Sequence, residues 1–514
     1  MTTRIVLLGF GPVGVRFAEE ILPAVERGQV DLTIVGAERH EPYNRIMIAE
    51  FAAGEIERDT LQIADTRDVV AGGARVIRGR RADAIDREAR EVVLSDGERI
   101  RYDRVVLATG ARANVPPLDG LETTGDDAAG VDSVLTDGVC AMRSLEDAER
   151  VADVVAAGGR VVVLGAGVLG LELALLLAAA GAIPQLAHFG PAPMPRHLDR
   201  GAAHVLVDQL TRAGVGVVPH TRAEAIVAHE VDGRRTFRAL VSGDGKRIEG
   251  DLLVLSCGVQ ARAELATDAG LRTARGVLVD DRLRSWTDPT IHAIGDVAHV
   301  ADPAVHRHDR EVPGGPSGLV GPGWRQAEWL AQAILAELDG EDPAPYEEDV
   351  PGIVLMKAGQ VDLVTAGDAQ ADPFAPVPAG ERAPEVAMWA DPQHGTYVKM
   401  ATTDGVLDGF VAVGMPRAAA ELSVLYQRRG ELPSDRSLLL RLDAAGEQTP
   451  RAEGRAATVC LCNAVTAGPI EDAVAQHGCA TVEDVGRRTR AGTGCGGCRS
   501  RIAEMLRNLE AAPA

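Results

Sequence analysis

Cysteine is scarce in this chain, with seven in 514 residues, too few for a disulfide framework. Positive charge is also in deficit: Lys plus Arg number 53 against 75 for Asp plus Glu, a net −22. A surface of that sign repels nucleic acid and anionic lipid, so neither is expected as a partner. No apolar run is long without interruption. The nearest, from Val161 to Ile183, carries Glu172 and is broken by Gly165, Gly167, Gly170 and Gly181, so it reads as a buried strand, a tight turn and a buried helix rather than a membrane span. A targeting signal is missing too: Met1-Thr-Thr-Arg4 passes straight into a strand-like run, which predicts a cytoplasmic protein. What is present is an ordinary globular composition, 46% apolar and 25% charged, over a length that suits two to four domains.

Arg4 to Leu8 is a continuous aliphatic run of the kind buried on both faces of a parallel sheet. It leads into Gly9-Phe-Gly11-Pro12-Val-Gly14. In such a fingerprint the first glycine permits a tight turn, the second admits a pyrophosphate to the backbone, and the third lets the helix pack closely on the strand. A helix N-terminus there would face the phosphates. A second strand at 31–35 ends just before Glu38, about 24 residues past Gly14, where an acceptor for ribose hydroxyls is expected. The pattern then recurs: 160–164 leads into Gly165-Ala-Gly167-Val-Leu-Gly170 and a helix, so two dinucleotides are expected. The next strand, 185–189, ends in His188, Phe189 and Gly190 with no carboxylate, and Arg196 follows. NADH and NADPH are therefore not separated by sequence, and His188 reads equally as a surface residue or a cofactor contact.

Taken together, these motifs resemble the FAD- and pyridine-nucleotide-dependent disulfide oxidoreductase superfamily, in its branch without a redox disulfide. Residues 105–111 (VVLATGA) resemble its alanine-threonine-glycine turn, which brings in Thr109 and Gly110. Residues 287–296 (TDPTIHAIGD) resemble its terminal FAD motif, which implies a ribityl contact for Asp296. Residues 79–86 resemble the segment that meets adenine, near Ala82. Within the superfamily, Glu41-Pro-Tyr43-Asn44-Arg45, Gly318 to Pro322, Gln326-Ala, 357–368 and Tyr397-Val-Lys399 resemble the branch of nitrite reductase large subunits and assimilatory nitrate reductase electron-transfer subunits. The resemblance implies cofactor-binding roles for Gly9, Gly11, Pro12, Gly14, Glu38, Arg45, Ala82, Thr109, Gly110 and Asp296 toward FAD. It implies the same for Gly165, Gly167, Gly170 and Glu172 toward NAD(P)H, although Glu172 at the start of a helix reads equally as a packing and dipole-compensating residue. Related ferredoxin reductases carry a lysine where this chain has Glu50, so no such role is assigned to Glu50, and no acid or base catalyst is expected.

Five of the seven cysteines crowd the carboxyl end. Cys460 and Cys462 are separated by one residue, Cys495 and Cys498 by two, and about 32 residues lie between the pairs. Four thiolates from two turns can hold a [2Fe-2S] cluster. Structural zinc is the alternative, although paired zinc cysteines usually have two to four residues between them. The flanking sequences, 459–463 and 489–498, resemble the bacterioferritin-associated-ferredoxin-like [2Fe-2S] domain, which implies Cys460, Cys462, Cys495 and Cys498 as iron ligands. Cys140, Cys257 and Cys479 read as small buried residues.

The expected fold class is α/β: two nested Rossmann-like dinucleotide-binding domains, a small α+β domain and a small helical [2Fe-2S] domain. The expected bounds are an FAD domain at 1–125 and 251–330, an NAD(P) domain at 126–250, the α+β domain at 345–443 and the cluster domain at 455–510. A surface excursion is expected at 368–385 and a linker at 443–454. The 514 residues show no sirohaem or [4Fe-4S] binding domain, so the resemblance implies an NAD(P)H-oxidising electron-transfer subunit. The implied partner is a separate reductase chain, a molybdenum nitrate reductase, with a nitrite reductase or ferredoxin as the alternative acceptor. From another class, the cluster domain could be a docking or sensing module for an iron-storage protein.

Overall fold

The computed structural model describes residues 2–126, 133–231, 233–306, 311–347, 352–359, 361–374, 385–440, 442–443, 454–455, 457–460, 465–494 and 496–511. In the first unit Thr3–Leu8 is the middle strand of a five-stranded sheet. Val30–Gly36 and Arg104–Leu107 flank it, and Arg75–Arg78 and Ile291–Ala293 form the edges. Every pairing is parallel. Ile5, Val6, Leu7 and Leu8 are all buried, so both faces need cover and polar alternation is excluded. Helix Pro12–Glu26 supplies part of that cover through Phe17 and Ile21, and helix Val320–Leu338 packs beside it.

The chain leaves this sheet after Leu107, builds a second one, and returns at Ile291. The second sheet is also parallel and runs Val139–Cys140, Leu252–Leu255, Val161–Leu164, Gln185–Ala187, Gly216–Val218. Strand Leu252–Leu255 lies past the expected bound at 250, yet it pairs with Val161–Leu164 inside this second sheet. Burial of all four of its residues explains why the pattern of 251–256 reads like either unit. The apolar stretch from Val161 resolves into strand Val161–Leu164 and helix Val168–Ala179. Among the described residues, no helix is long and apolar enough to cross a membrane.

The third unit is an antiparallel sheet in the order Ile353–Ala358, Val361–Gly367, Val406–Val413, Thr396–Thr403, Glu385–Asp391. Helix Pro416–Gln427 packs on it through Leu422 and Tyr426. The last unit has its own small core, with Ile470, Val485, Ala491 and Ile502 fully enclosed among helices Ala467–His477, Val482–Thr489 and Arg499–Ala511. A short strand pair, Thr458–Cys460 with Val465–Thr466, stands at its start. The expected excursion at 368–385 and the linker at 443–454 fall mostly outside the described residues.

Candidate cofactor cleft and cluster domain

The two glycine turns have the same geometry. Gly9 has φ +112° and Gly165 φ +117°, and a Cβ at either would lie 2.1 Å from the backbone oxygen of Ala108 or Ser256. At Gly14 and Gly170 a Cβ would lie 2.2 Å from the oxygen of Gly9 or Gly165, so strand and helix are in backbone contact. The middle glycines differ. A Cβ at Gly11 would meet only Arg45 Nε at 3.8 Å, and one at Gly167 would meet nothing within 4 Å. Both are N-cap residues without a side-chain cap, which leaves helix amides and their partial positive charge turned to open space. That is the fit a pyrophosphate requires.

Both turns open into one cleft of about 1310 Å³, more than the roughly 300–1,000 Å³ of an ordinary small-ligand site and of the size two dinucleotides would need. Gly9, Gly11, Pro12, Glu38, Arg45, Ala82, Thr109, Gly110 and Asp296 line it from the first unit, and Gly167 and Glu172 from the second. Gly14, Gly165 and Gly170 lie behind the wall as packing residues. Gly318 to Pro322 and residues of the third unit, Ile353 to Leu355 and Thr365 to Gly367, close it. Gln326 Oε1 accepts from the Gly295 amide at 2.7 Å, and Trp324 Nε1 donates to the Pro12 carbonyl at 3.2 Å. These bonds fix helix Val320–Leu338 over both the first turn and the Asp296 turn.

Inside the cleft Glu38 is ion-paired with Arg45. Burial opposes the Glu38 charge, but Arg45 and the Tyr43 hydroxyl hold its pKa below the usual carboxylate value. The Arg45 guanidinium lies 4.8 Å from the Tyr43 ring centre and donates to the Arg143 carbonyl at 3.2 Å. Arg143 in turn donates to Asp296 at 3.0 Å and to the Ala111 carbonyl at 3.1 Å. Sequence reasoning missed Arg143 and Arg262, the residue whose carbonyl accepts the Thr109 hydroxyl at 3.0 Å. Neither stands in a motif, and only the packing of the two crossover segments against the first unit brings them here. His188 is 5% exposed, which removes the surface reading. Its pKa is lowered by burial and then by His220.

In the carboxyl-terminal unit Cys460 and Cys498 are buried in the same small core, while Cys462 and Cys495 lie outside the described residues. Cys498 immediately precedes helix Arg499–Ala511, and its carbonyl accepts from the Ile502 amide at 2.9 Å. Its sulfur chemistry at a helix start suits a thiolate ligand, so the residues present fit an iron-sulfur group. Among the described residues no cluster of three His, Cys, Asp or Glu side chains is placed to hold a metal ion. Cys140 and Cys479 are buried and Cys257 half-buried. Burial raises the Cys140 and Cys257 thiol pKa values, the latter to about 11, which disfavours the thiolate form.

Comparison with known proteins agrees with this geometry. The family profile described as pyridine nucleotide-disulphide oxidoreductase matches residues 3–315, and the BFD-like [2Fe-2S] binding domain matches 458–508. The assimilatory nitrate reductase electron transfer subunit of Bacillus subtilis (strain 168) is 29% identical over 511 residues, covering 98% of this chain and 60% of the relative. The nitrite reductase [NAD(P)H] large subunit of Klebsiella oxytoca is also 29% identical, with 98% of this chain and 48% of that protein covered. The chain thus spans about half to 60% of the length of these two relatives. Among solved structures, the putidaredoxin reductase–putidaredoxin complex shares the fold at a TM-score of 0.69 and 23% identity, over 85% of this chain and 95% of that one. A ferredoxin reductase from Rhodopseudomonas palustris aligns at a TM-score of 0.66 and 25% identity, over 84% and 96%.

Proposed function

We propose, since this chain belongs to the pyridine nucleotide-disulphide oxidoreductase family, that it is the NAD(P)H-oxidising electron-transfer partner of a separate reductase. As an NAD(P)H-dependent flavin oxidoreductase it takes FAD and NAD(P)H, and its last domain carries a [2Fe-2S] cluster. Bound FAD supplies two-electron acceptance and the cluster one-electron release, chemistry that no side chain can perform. The work of the chain is to bind, orient and enclose. Gly9, Gly11, Pro12 and Gly14 form the FAD pyrophosphate turn, Glu38 accepts from the adenosine ribose, and Arg45 fixes Glu38. Ala82 meets adenine, while Thr109, Gly110 and Asp296 border the ribityl chain. Gly165, Gly167 and Gly170 form the NAD(P)H turn, with Glu172 beside the nicotinamide. Cys460, Cys462, Cys495 and Cys498 bind the iron. No side chain is assigned an acid or base role, because hydride transfer needs none.

The observation that carries this reading is the convergence of Gly11 and Gly167, one from each fingerprint, on a single cleft. The acceptor proposed is an assimilatory molybdenum nitrate reductase in the cytoplasm; the name of the Bacillus subtilis relative supports its being an assimilatory nitrate reductase. The ferredoxin reductase likeness favours a second reading, in which a small ferredoxin takes the electrons. Absorbance of anaerobically purified protein, before and after NADH, tests the core. Flavin bands and a broad thiolate-to-iron shoulder should both bleach. Zinc in place of iron, or a shoulder that neither NADH nor NADPH bleaches, would overturn it. Steady-state assays with each acceptor separate the two readings.

A further inference from the structure

The loop Pro42 to Met47 has the cleft on one side and the cluster domain on the other. Pro42, Tyr43, Arg45 and Ile46 line the cleft. Asn44 between them turns away: its Nδ2 donates to the Gly494 carbonyl at 2.9 Å and reaches the Thr493 carbonyl at 3.4 Å. Gly494 directly precedes Cys495 in sequence. The same side chain is committed locally, because Asn44 Oδ1 accepts from the Ile46 amide at 3.0 Å and caps the turn Arg45–Met47. Asn44 is 5% exposed. At Gly496, φ is +74° and a Cβ would come 2.9 Å from Met47 Cε, so the cluster loop lies directly on this turn.

Beside this contact, Arg490 reaches helix Pro12–Glu26. It pairs with Glu19 at 2.6 Å and Glu20 at 3.0 Å, with the three side chains 26%, 37% and 29% exposed. Arg16, the like charge on the same helix, is held by Glu328 and lies 5.1 Å from the Trp324 ring centre. Arg490 stands in a left-handed conformation, φ +67°, at the end of helix Val482–Thr489, an uncommon state for a residue other than glycine or asparagine.

We infer that Asn44, Arg490 and the Glu19–Glu20 pair are positioning residues that dock the cluster domain on the flavin side of the molecule, with Gly494 and Gly496 against the cleft wall. This inference rests on the proposed relay. The dock combines one hydrogen-bonded side chain with one partly exposed charge contact, and a contact of that kind weakens with salt. It holds the cluster domain for electron uptake and releases it at modest cost, which suits a domain that must also meet an outside acceptor.

The test uses the holoprotein and three variants: Asn44→Asp, Arg490→Asn, and the charge exchange Arg490→Glu with Glu19→Arg and Glu20→Arg. Asn44→Asp keeps the acceptor for the Ile46 amide but loses the donor, and Arg490→Asn loses the charge while tolerating the left-handed turn. Small-angle scattering and amide exchange over 43–47 read the dock without turnover. Arg490→Asn and Asn44→Asp should expand the particle and lose protection over 43–47, as should wild type in high salt, and the charge exchange should restore both. In rapid mixing with NADH or NADPH, Arg490→Asn should bleach its flavin at the wild-type rate while its cluster bleaches about threefold more slowly, the factor of one partly exposed ion pair near 0.7 kcal/mol. Unchanged scattering, protection and cluster bleaching in both variants would overturn the dock. A wild-type cluster that neither NADH nor NADPH ever bleaches would instead overturn the relay.

Discussion

Gly167 and Gly170 stand three residues apart in one turn and do different work. Gly167 has an extended backbone, φ −81° and ψ 178°, that alanine adopts freely, and its Cβ would project into open space. Gly167→Ala should therefore leave the melting temperature unchanged and raise KM for the nicotinamide about tenfold, the cost of roughly 1.4 kcal/mol of lost phosphate approach. Gly170→Ala would place a methyl 2.2 Å from the Gly165 oxygen and should lower the melting temperature first. Glu50 makes a second case. Burial, and then the charge of Glu55, push its pKa from 4.5 up to about 7. Between these values the folded chain holds a proton that the unfolded chain has released, so stability falls as pH rises through the window and the full penalty stands above pH 7. Glu50→Gln should melt like wild type near pH 4.5 and higher than wild type at pH 8. These roles were legible unevenly. The fingerprint spacing pointed to each glycine, but nothing in the sequence around Glu50 announced a buried helix turn.

At the scale of elements, the third sheet is tied to the second unit by a buried group. Strand Thr396–Thr403 presents Lys399, whose side chain is 4% exposed, and its Nζ donates to Asp199 at 2.9 Å and to the Ala369 carbonyl at 3.1 Å. The Tyr397 hydroxyl donates to the same carboxylate at 2.6 Å. Asp199 also caps helix Arg200–Arg212 by accepting from the Ala202 amide at 3.0 Å. One carboxylate thus joins helix and sheet. Lys399→Met should cost about 3 kcal/mol, since it strands a mostly buried charge. Amide exchange over 396–403 would read it better than a global melt, because a chain of several domains does not unfold in two states. Converting Asp199→Leu as well should recover part of the loss. Resemblance had singled out Tyr397 and Lys399, yet their partner could not be read from a sequence that places it about 200 residues away. The parallel sheets were legible for the opposite reason: runs such as 4–8 and 161–164 are local, continuous and apolar. Where two such runs belong to different sheets, as 252–255 shows, burial alone does not assign them.

For the whole molecule, the division of labour predicts what survives removal of the tail. The cores of the first three units draw on no residue beyond Leu442, and the cluster domain has a separate core of its own. Across the dock the described contacts are few and mostly polar, with Asn44 and the Glu19–Glu20 pair meeting Gly494 and Arg490. A chain ending at Asp443 therefore loses little apolar burial from its remaining units and should keep its fold, its flavin and the rate at which NADH bleaches that flavin. Delivery of electrons to the proposed partner reductase should fall to background, because the cluster is gone while the hydride site is intact. Stopped-flow absorbance reads the first step and a coupled assay with the partner reads the second. If the shortened chain feeds the partner as fast as the full one, the flavin reaches the acceptor directly and the cluster domain serves some other purpose, such as docking alone.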